Sequence, residues 1–492
     1  MVAGSETTTP TEARRLERAV EYVSRQWLPL NPKVFASIKA GIKEGRYELG
    51  TEFLVSDLKK DIGLFSFCLR DIIVRLRKQG SDVRLGNSQE LFERISQQDL
   101  LALLDRAEKA LGAHSLAGLS DSQSAHLRYT LVSVSAAETL ANHKTLEGDG
   151  AFLSALFRQL GLLLVAWNYP TVFGRAQRAA LEDEESPDER GLERRLSALL
   201  GFSPELLGAS VLESFSVGEE IADAVGAAGH PQSKSGLTAS RTTSELAELC
   251  RVGEALARAN DPEHYPQSSK SWSEAKSTIQ KVLGEDGLKR VQESFDTNSS
   301  SYRDLGTGIL GEKTRIDPEQ NIAQHEQSQT RDRNPYIEAC PLHFRQRLRE
   351  FYGWRTQEKN PQEAVAYLLR EVIPVSGFEA GIVYTLDPSF SELVPRLKFG
   401  APTLRKAISH KVSEDALSRD PVLSSLHVPA PCVSRVAGQD HSFAVGALGG
   451  SRKIGVMYVE FSSELAEQEN IDVLVNFKAL CQALLDALGI AG

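Results

Sequence analysis

The sequence predicts a multidomain protein, with an all-α N-terminal domain followed by an α+β C-terminal domain. Three observations carry that reading. From Thr11 apolar residues recur at helical spacing, and nothing from 11 to 230 alternates with period two for long. Residues 296–334 then give up large apolar side chains for runs such as Asn298-Ser-Ser-Ser301 and Gln320-Asn-Ile-Ala-Gln-His-Glu-Gln-Ser-Gln329. Beyond Pro335, helical spacing mixes with short strand-like runs bounded by turn residues. At 492 residues the chain is too long for one ordinary core, so a division into domains is expected on length as well.

Taken in order, residues 1–24 are a polar lead-in and a first helix, with Leu16, Val20 and Val23 on one face. Leu28-Pro-Leu-Asn-Pro32 ends it. Helices are expected at Pro32 to Lys43, Thr51 to Lys60 and Ile62 to Lys78; the last spaces Leu64, Phe65, Cys68, Leu69, Ile72 and Ile73 along one face. Further helices follow at Gln97 to Leu111, Ser122 to Ala141, Ala151 to Tyr169, Glu189 to Leu200, Pro204 to Phe215 and Glu219 to Ala228. Thr243 to Asn260 and Trp272 to Phe295 complete the set. Glu182-Asp-Glu-Glu-Ser-Pro-Asp-Glu189 is an acidic run expected to stay solvated. Ala151 to Trp167 is apolar almost all round, as in a core helix, and Arg158-Gln159 is the polar pair that interrupts it.

Residues 296–334 are expected to be a flexible linker, because they cannot bury enough apolar surface to order themselves. In 335–492, helices at Leu342 to Tyr352 and Pro361 to Val372 precede strands at Glu379 to Leu386 and Glu392 to Phe399. A short helix is expected near Ser413 to Ser418. Strands His441 to Leu448 and Lys453 to Phe461 meet at the hairpin signal Gly449-Gly-Ser451, and a helix from Glu464 to Leu488 closes the chain. A strand comes after Gly446-Ala-Leu-Gly-Gly-Ser451, so a turn is a better reading than a phosphate loop, which needs a helix there.

A net charge of −10 gives no general attraction to nucleic acid or anionic membrane. Five scattered cysteines without a CxxC pair suit reduced thiols. The N-terminus lacks the pattern of a signal peptide, and the longest apolar run, Leu160 to Trp167, is far short of the roughly 20 residues that span a bilayer. A cytoplasmic location is the expectation.

Residues 25–295 resemble the HDOD family, a catalytically altered relative of the HD phosphohydrolases found in bacterial signalling proteins. Leu28-Pro-Leu-Asn-Pro32, Leu54 to Leu64, Arg128 to Ala137, Leu156-Phe-Arg-Gln-Leu-Gly161, Leu207 to Phe215 and Val217 to Ala222 carry the resemblance by order and spacing. The hydrolases hold a metal that activates water, and the resemblance implies ligands at Tyr129, Arg158, Gln159 and Ser203. None of these is one: arginine is a cation, and tyrosine, glutamine and serine are poor substitutes for imidazole and carboxylate. The expectation is a vestigial, non-catalytic site with no metal and no cofactor. Arg158 and Gln159 are then expected to hydrogen-bond neighbouring helix ends, with a phosphate or carboxylate grip in the vestigial pocket as the sharper alternative. His126 and His143 are expected to be surface or satisfied core histidines.

Residues 335–492 resemble a GAF domain, on Gly377-Phe-Glu-Ala-Gly-Ile-Val-Tyr384 and Ile454-Gly-Val-Met-Tyr-Val-Glu460. The resemblance implies a small-molecule sensor or dimerisation module, with Ala401 to Gly438 as a lid over a ligand of unidentified chemistry. Cys432 is expected to be a plain loop cysteine. Leu474, Phe477, Cys481, Leu484 and Leu488 form a stripe that could pack on the domain's own sheet or make a homodimer; both readings stay open. The function expected is a regulatory protein acting through signalling partners. A divergent phosphohydrolase acting on nucleotides or cyclic dinucleotides is the competing reading, and nucleic-acid binding through Arg345, Arg347 and Arg349 is a third.

Overall fold

The computed structural model describes residues 10–81, 86–181, 191–215, 221, 225, 241–266, 269–306, 309–310, 315–355, 360–413, 420–428, 430–435, 440–449, 453–462 and 473–490. The chain forms two compact units, Met1–Ile322 and Ala323–Gly492. Among the described residues the first contains helices and no strand. Its helices are Pro10–Arg25 (α1), Pro32–Lys43 (α2), Thr51–Lys59 (α3), Ile62–Lys78 (α4), Ser88–Glu93 (α5), Gln97–Ala110 (α6), Asp121–His143 (α7) and Gly148–Asn168 (α8). Pro170–Leu181 (α9), Gly191–Leu200 (α10), Pro204–Leu212 (α11), Arg241–Ala259 (α12), Ser269–Leu283 (α13) and Gly287–Leu305 (α14) come next. Pro318–Arg333 (α15) runs across the point where the units divide.

α8 is long and apolar enough to cross a membrane by length and composition, and it is instead the buried centre of this unit. α7 flanks it and is buried over most of its length. α8 also meets α11 at very close range: a methyl group on Gly161 would lie 1.9 Å from the Pro204 carbonyl oxygen, and Gly208 faces Gly161. α12 reaches α7 in the same way, through Gly253, where a methyl would lie 2.5 Å from the Ser133 carbonyl oxygen. These glycines let backbones approach where a side chain would hold them apart.

Local chemistry sets the helix starts. Asp61, fully buried, caps α4 by accepting from the Gly63 and Leu64 amides, and its other oxygen accepts from Asn31 N at 2.6 Å. Asn31 in turn caps α2 and donates from Nδ2 to the Ser301 carbonyl at 3.1 Å. Ser120 and Gln123 form a capping box at the start of α7.

The linker expected over 296–334 is mostly helix. α14 continues to Leu305, with Asn298, Ser299, Ser301 and Tyr302 buried. Asn298 Nδ2 donates to Ser135 Oγ at 3.0 Å, Ser301 Oγ donates to the Lys60 carbonyl at 2.6 Å, and the Tyr302 hydroxyl accepts from Ile62 N at 3.1 Å. The serine and asparagine run is a polar seam between helices. Small side chains, several of them hydrogen-bonded across the seam, pack closely without apolar bulk, so a reading based on hydrophobicity missed it. The single helix expected over Trp272 to Phe295 is two, broken where Gly284 takes a left-handed conformation. α9 lies where no helix was expected. Most of Glu219 to Ala228 and of the acidic run 182–189 falls outside the described residues.

The second unit carries Leu342–Arg355 (α16) and Pro361–Tyr367 (α17), the latter running on into a π-helical turn at Leu368–Val372. Its six-stranded sheet comprises Ala380–Leu386 (β1), Glu392–Phe399 (β2), His410–Lys411 (β3), Cys432–Arg435 (β4), His441–Leu448 (β5) and Gly455–Ser462 (β6). The order is β3-β2-β1-β6-β5-β4, and every neighbouring pair is antiparallel. A short helix Pro421–Ser424 (α18) precedes β4, and Val473–Ala487 (α19) comes after the sheet. The helix expected at Ser413 to Ser418 falls largely outside the described residues; the observed one starts at Pro421, capped by Asp420.

Both faces of the sheet are covered. Val383, Met457, Val459 and Ala444 point to a core shared with α16 and α19, and Ile382, Tyr384, Val456 and Tyr458 point to a second cluster with α18. Phe477 and Leu484 of the α19 stripe are buried in the first core, Cys481 lies 3.7 Å from the Met457 sulfur, and Leu488 is exposed. The stripe is thus engaged within its own unit.

Gly161→Ala should lower the stability of the helical unit by about 1–3 kcal/mol, because the backbone of α11 cannot move aside cheaply. Gly191→Ala, where an added methyl meets open space, should stay within about 0.5 kcal/mol of the parent. Denaturant titration of the two variants checks this.

Candidate functional site

Three helices of the first unit converge where the resemblance implies metal ligands. Arg158 and Gln159 project from the middle of α8 towards Glu254, a buried carboxylate on α12. Arg158 Nε donates to Glu254 Oε1 at 2.6 Å and Nη2 donates to Oε2 at 3.1 Å, a two-pronged pair. Gln159 Nε2 donates to the same Oε1 at 3.1 Å. Arg258, one turn along α12, brings Nη2 to 3.8 Å from Oε2. Arg158 Nη1 also donates to the Val225 carbonyl at 3.4 Å. Two cations and an amide thus surround one carboxylate.

Burial by itself would lower the Arg158 pKa, but the Glu254 hydrogen bonds and charge outweigh it and raise it. The guanidinium stays charged. Cys250, one turn before Glu254, is a buried thiol pushed up to about 12 chiefly by burial, so it is no thiolate nucleophile at neutral pH.

Tyr129 lies on α7 within electrostatic reach of Arg258, Glu254 and Arg158, and burial holds its hydroxyl well above the usual range. Its ring stacks on His126 at 5.6 Å and meets Tyr265 at 5.2 Å. His126 is not the satisfied core histidine expected: it is buried, and neither ring nitrogen has a hydrogen-bond partner among the described residues. Burial depresses its pKa to about 3, leaving a neutral imidazole among aromatic rings. His143 is near the surface, where Arg290 Nη1 donates to Nδ1 at 3.3 Å. Ser203 joins none of this. Its hydroxyl accepts from Leu206 N at 3.0 Å as the cap of α11.

The structure therefore brings Tyr129, Arg158 and Gln159 together and leaves Ser203 as a helix cap. Glu254, the centre of the arrangement, went unread in the sequence, although Glu254 and Arg258 are an i, i+4 pair that could have flagged it. A second network missed in the sequence adjoins the site. Arg128 pairs with buried Asp261 and donates from Nη1 to the Leu310 carbonyl at 2.7 Å. His264 bridges Asp261 through Nδ1 and Asp121 through Nε2, each at 3.0 Å. Burial opposes ionisation of Asp261, but the His264 hydrogen bond and Arg128 hold it down at about 2. Burial likewise opposes the charged His264, and its two carboxylate partners prevail and raise its pKa. Among the described residues no group of three or more His, Cys, Asp and Glu side chains is arranged to hold a metal ion.

In the second unit, the face expected to lie under a lid is filled by side chains, Tyr384, Val422, Leu423, Val445 and Tyr458 among them. The start of the lid is clamped by Glu460, a buried carboxylate that accepts from Thr403 N at 2.7 Å, Thr403 Oγ1 at 3.0 Å, Leu404 N at 3.0 Å and the Tyr458 hydroxyl at 3.1 Å. Cys432 is exposed on β4, in a strand rather than a loop. The arginines of α16 face carboxylates: Arg349 Nη2 and Arg347 Nη1 donate to Glu338 and Glu350, both at 2.7 Å, and Arg345 lies 3.7 Å from Glu338.

No family model matches the chain, and no curated protein matches it. Among solved structures it is similar to a protein of Shewanella amazonensis SB2B, provisionally described as a phosphohydrolase. That likeness is 16% identity over 61% of this chain and 96% of the other, with a TM-score of 0.27. It is also similar to a protein of Marinobacter aquaeolei VT8, provisionally described as a signal transduction protein, at 17% identity over 62% of this chain and 67% of the other, with a TM-score of 0.29. Neither score is high enough to bear on chemistry.

Glu254→Gln should cost about 3 kcal/mol, since it leaves buried Arg158 without its counter-charge. The double variant R158M/E254M should recover most of that loss, because two apolar side chains remove the buried charges together. Denaturant titration of the set tests the pair. Two histidines should also make opposite contributions to stability on either side of pH 6.5. His126, depressed to about 3 in the fold, contributes a loss as pH falls from 6.5 towards 3, where the unfolded chain binds the extra proton. His264, raised above 6.5, contributes stability that is full below that value and is lost as pH rises through its folded pKa. His126→Leu should flatten the acid limb and His264→Gln the alkaline limb of a plot of melting temperature against pH.

Proposed function

We propose that the chain is a non-catalytic regulatory protein, an HDOD-like helical scaffold joined to a GAF-like sensor module, acting through protein–protein interaction. The observation that carries this reading is the Arg158–Glu254 pair. At the step where a phosphohydrolase needs an imidazole and a carboxylate on a metal, this chain has a guanidinium already neutralised by its own carboxylate. An arginine there repels a divalent cation, and Glu254 is held by three donors from Arg158 and Gln159. The helical unit would then serve as a rigid surface for a signalling partner. A ligand on the second unit would bias partner binding by no more than its difference in affinity for the two states.

The arginines of α16 favour no nucleic-acid reading, because each has a carboxylate within 4 Å. The test of the regulatory reading is metal analysis of the purified full chain, with a phosphodiesterase assay on nucleotides and cyclic dinucleotides in added manganese. The expected result is sub-stoichiometric metal and no turnover. One bound metal per chain, with turnover abolished by Glu254→Gln, would establish the hydrolase reading instead.

A further inference from the structure

Arg405, in the strap after β2, is a part-buried arginine with one donor, Nε, that has no partner among the described residues. Its side chain is 15% exposed, and its guanidinium carbon lies 6.0 Å and 5.8 Å from the ring centroids of Tyr384 and Tyr458. Nη2 donates to Asp420 Oδ2 at 2.7 Å and to His410 Nε2 at 3.0 Å. Nε is buried and has no hydrogen-bond partner among the described residues. A guanidinium edge suits both oxygens of one carboxylate. Asp420 meets it through Oδ2 alone, while Oδ1 accepts from Val422 N at 2.9 Å as the cap of α18.

The helix that Asp420 caps is equally specific. α18 is four residues long, too short to be stable by itself, and its Val422 and Leu423 are buried in the cluster on this face of the sheet. Residues 420–423 therefore present a carboxylate joined to a branched apolar body. Among the described residues Arg405 is paired with Asp420, and the Tyr384 hydroxyl also interacts with its guanidinium. His410 Nε2 faces Arg405 at 3.0 Å and Nδ1 lies 3.5 Å from Asp420 Oδ2; burial and then Arg405 lower its pKa against the pull of Asp420, and Glu460 is occupied by four donors of its own. Tyr384 gives its hydroxyl to the Lys406 carbonyl at 3.4 Å.

We propose that this face is a binding site for a small apolar carboxylic acid, and that residues 420–424 are its built-in occupant. The ligand's carboxylate takes Nε and Nη2 of Arg405 in place of Asp420. Its apolar body replaces Val422 and Leu423 against Ile382, Val445 and Val456, and displacement of α18 is the signal. This inference rests on the sensor reading of the second unit and names the class of ligand it takes.

The test uses the full chain, with phenylacetate as probe, phenyl phosphate and benzyl alcohol as comparisons, and titration calorimetry as readout. Asp420→Asn keeps the cap on Val422 and removes the competing charge, so it should bind phenylacetate at least about tenfold more tightly than the parent. Val422→Ala weakens the occupant without touching the ion pair and should tighten binding in the same direction. Arg405→Gln, added to Asp420→Asn, should abolish it. Hydrogen exchange over residues 420–428 should rise on ligand addition while β1 and β6 stay protected, which also reports that each variant is folded. Binding no tighter in Asp420→Asn and Val422→Ala than in the parent, or binding that survives Arg405→Gln, overturns the proposal. So does phenyl phosphate or benzyl alcohol binding as well as phenylacetate. Metal-dependent turnover would sink the regulatory reading without touching this result, and absent binding would sink this site with that reading intact.

Discussion

The helical unit depends on how α8 closes against α12, and that closure turns on one carboxylate. α8 is apolar nearly all round, so apolar contact by itself says little about its register. Arg158 and Gln159 mark one register, because both donate to Glu254 opposite them. A buried ion pair is weak as a source of net stability, since desolvation of both charges offsets most of their attraction. Its leverage is in what happens when it is not made: an unpaired guanidinium in that core is far more costly than the pair is favourable. The pair therefore selects one arrangement of α7, α8 and α12 more than it strengthens it. The close contact of Gly161 with α11 works in the same sense from the other side of α8.

Much of this was legible in the sequence, and the limits have physical reasons. Helix spacing located α2, α3, α4, α6, α7 and α8, because amphipathic or wholly apolar runs of that length admit few other solutions. Arg158-Gln159 could be read as a polar pair set in an otherwise apolar core helix, since the interruption is visible in the run itself. Glu254 could not be read as its partner, because 96 residues separate Arg158 from it and nothing local signals the pairing. The Asn298-Ser-Ser-Ser301 run misled for a different reason. Disorder and a close-packed polar seam share a composition, and only the partners Ser135, Lys60 and Ile62 tell them apart. His126 shows the converse: a lone histidine in a helix gives no sign of whether its nitrogens will find donors or acceptors.

In the second unit the strands with large apolar runs, β1, β5 and β6, were legible, and β3 and β4 were not. The first three form adjacent rows in the middle of the sheet, covered on both faces, so their sequences are nearly continuous in apolar residues. β3 and β4 are short edges paired on one side only, and their residues carry little pattern. Edge strands this short also limit pairing with other chains, which a longer apolar edge would invite.

Each unit holds a part-buried arginine neutralised by a carboxylate of its own chain, yet the two pairs differ in what anchors the anion. Glu254 sits within a 19-residue helix packed on α7 and α8, and its oxygens meet donors from two side chains of α8 with Arg258 adjacent. Moving it means moving the core. Asp420 sits at the start of a four-residue helix, gives one oxygen to Arg405 and one to its own cap, and leaves Arg405 Nε unanswered. Moving it exposes two apolar side chains and one helical turn. Local opening is drawn from segments with few buried contacts and short hydrogen-bonded stretches, and residues 420–424 fit that description where α12 does not. The same pairing of guanidinium and carboxylate is thus a fixed joint in the first unit and a releasable catch in the second, and the difference lies in the length of the helix that carries the acid.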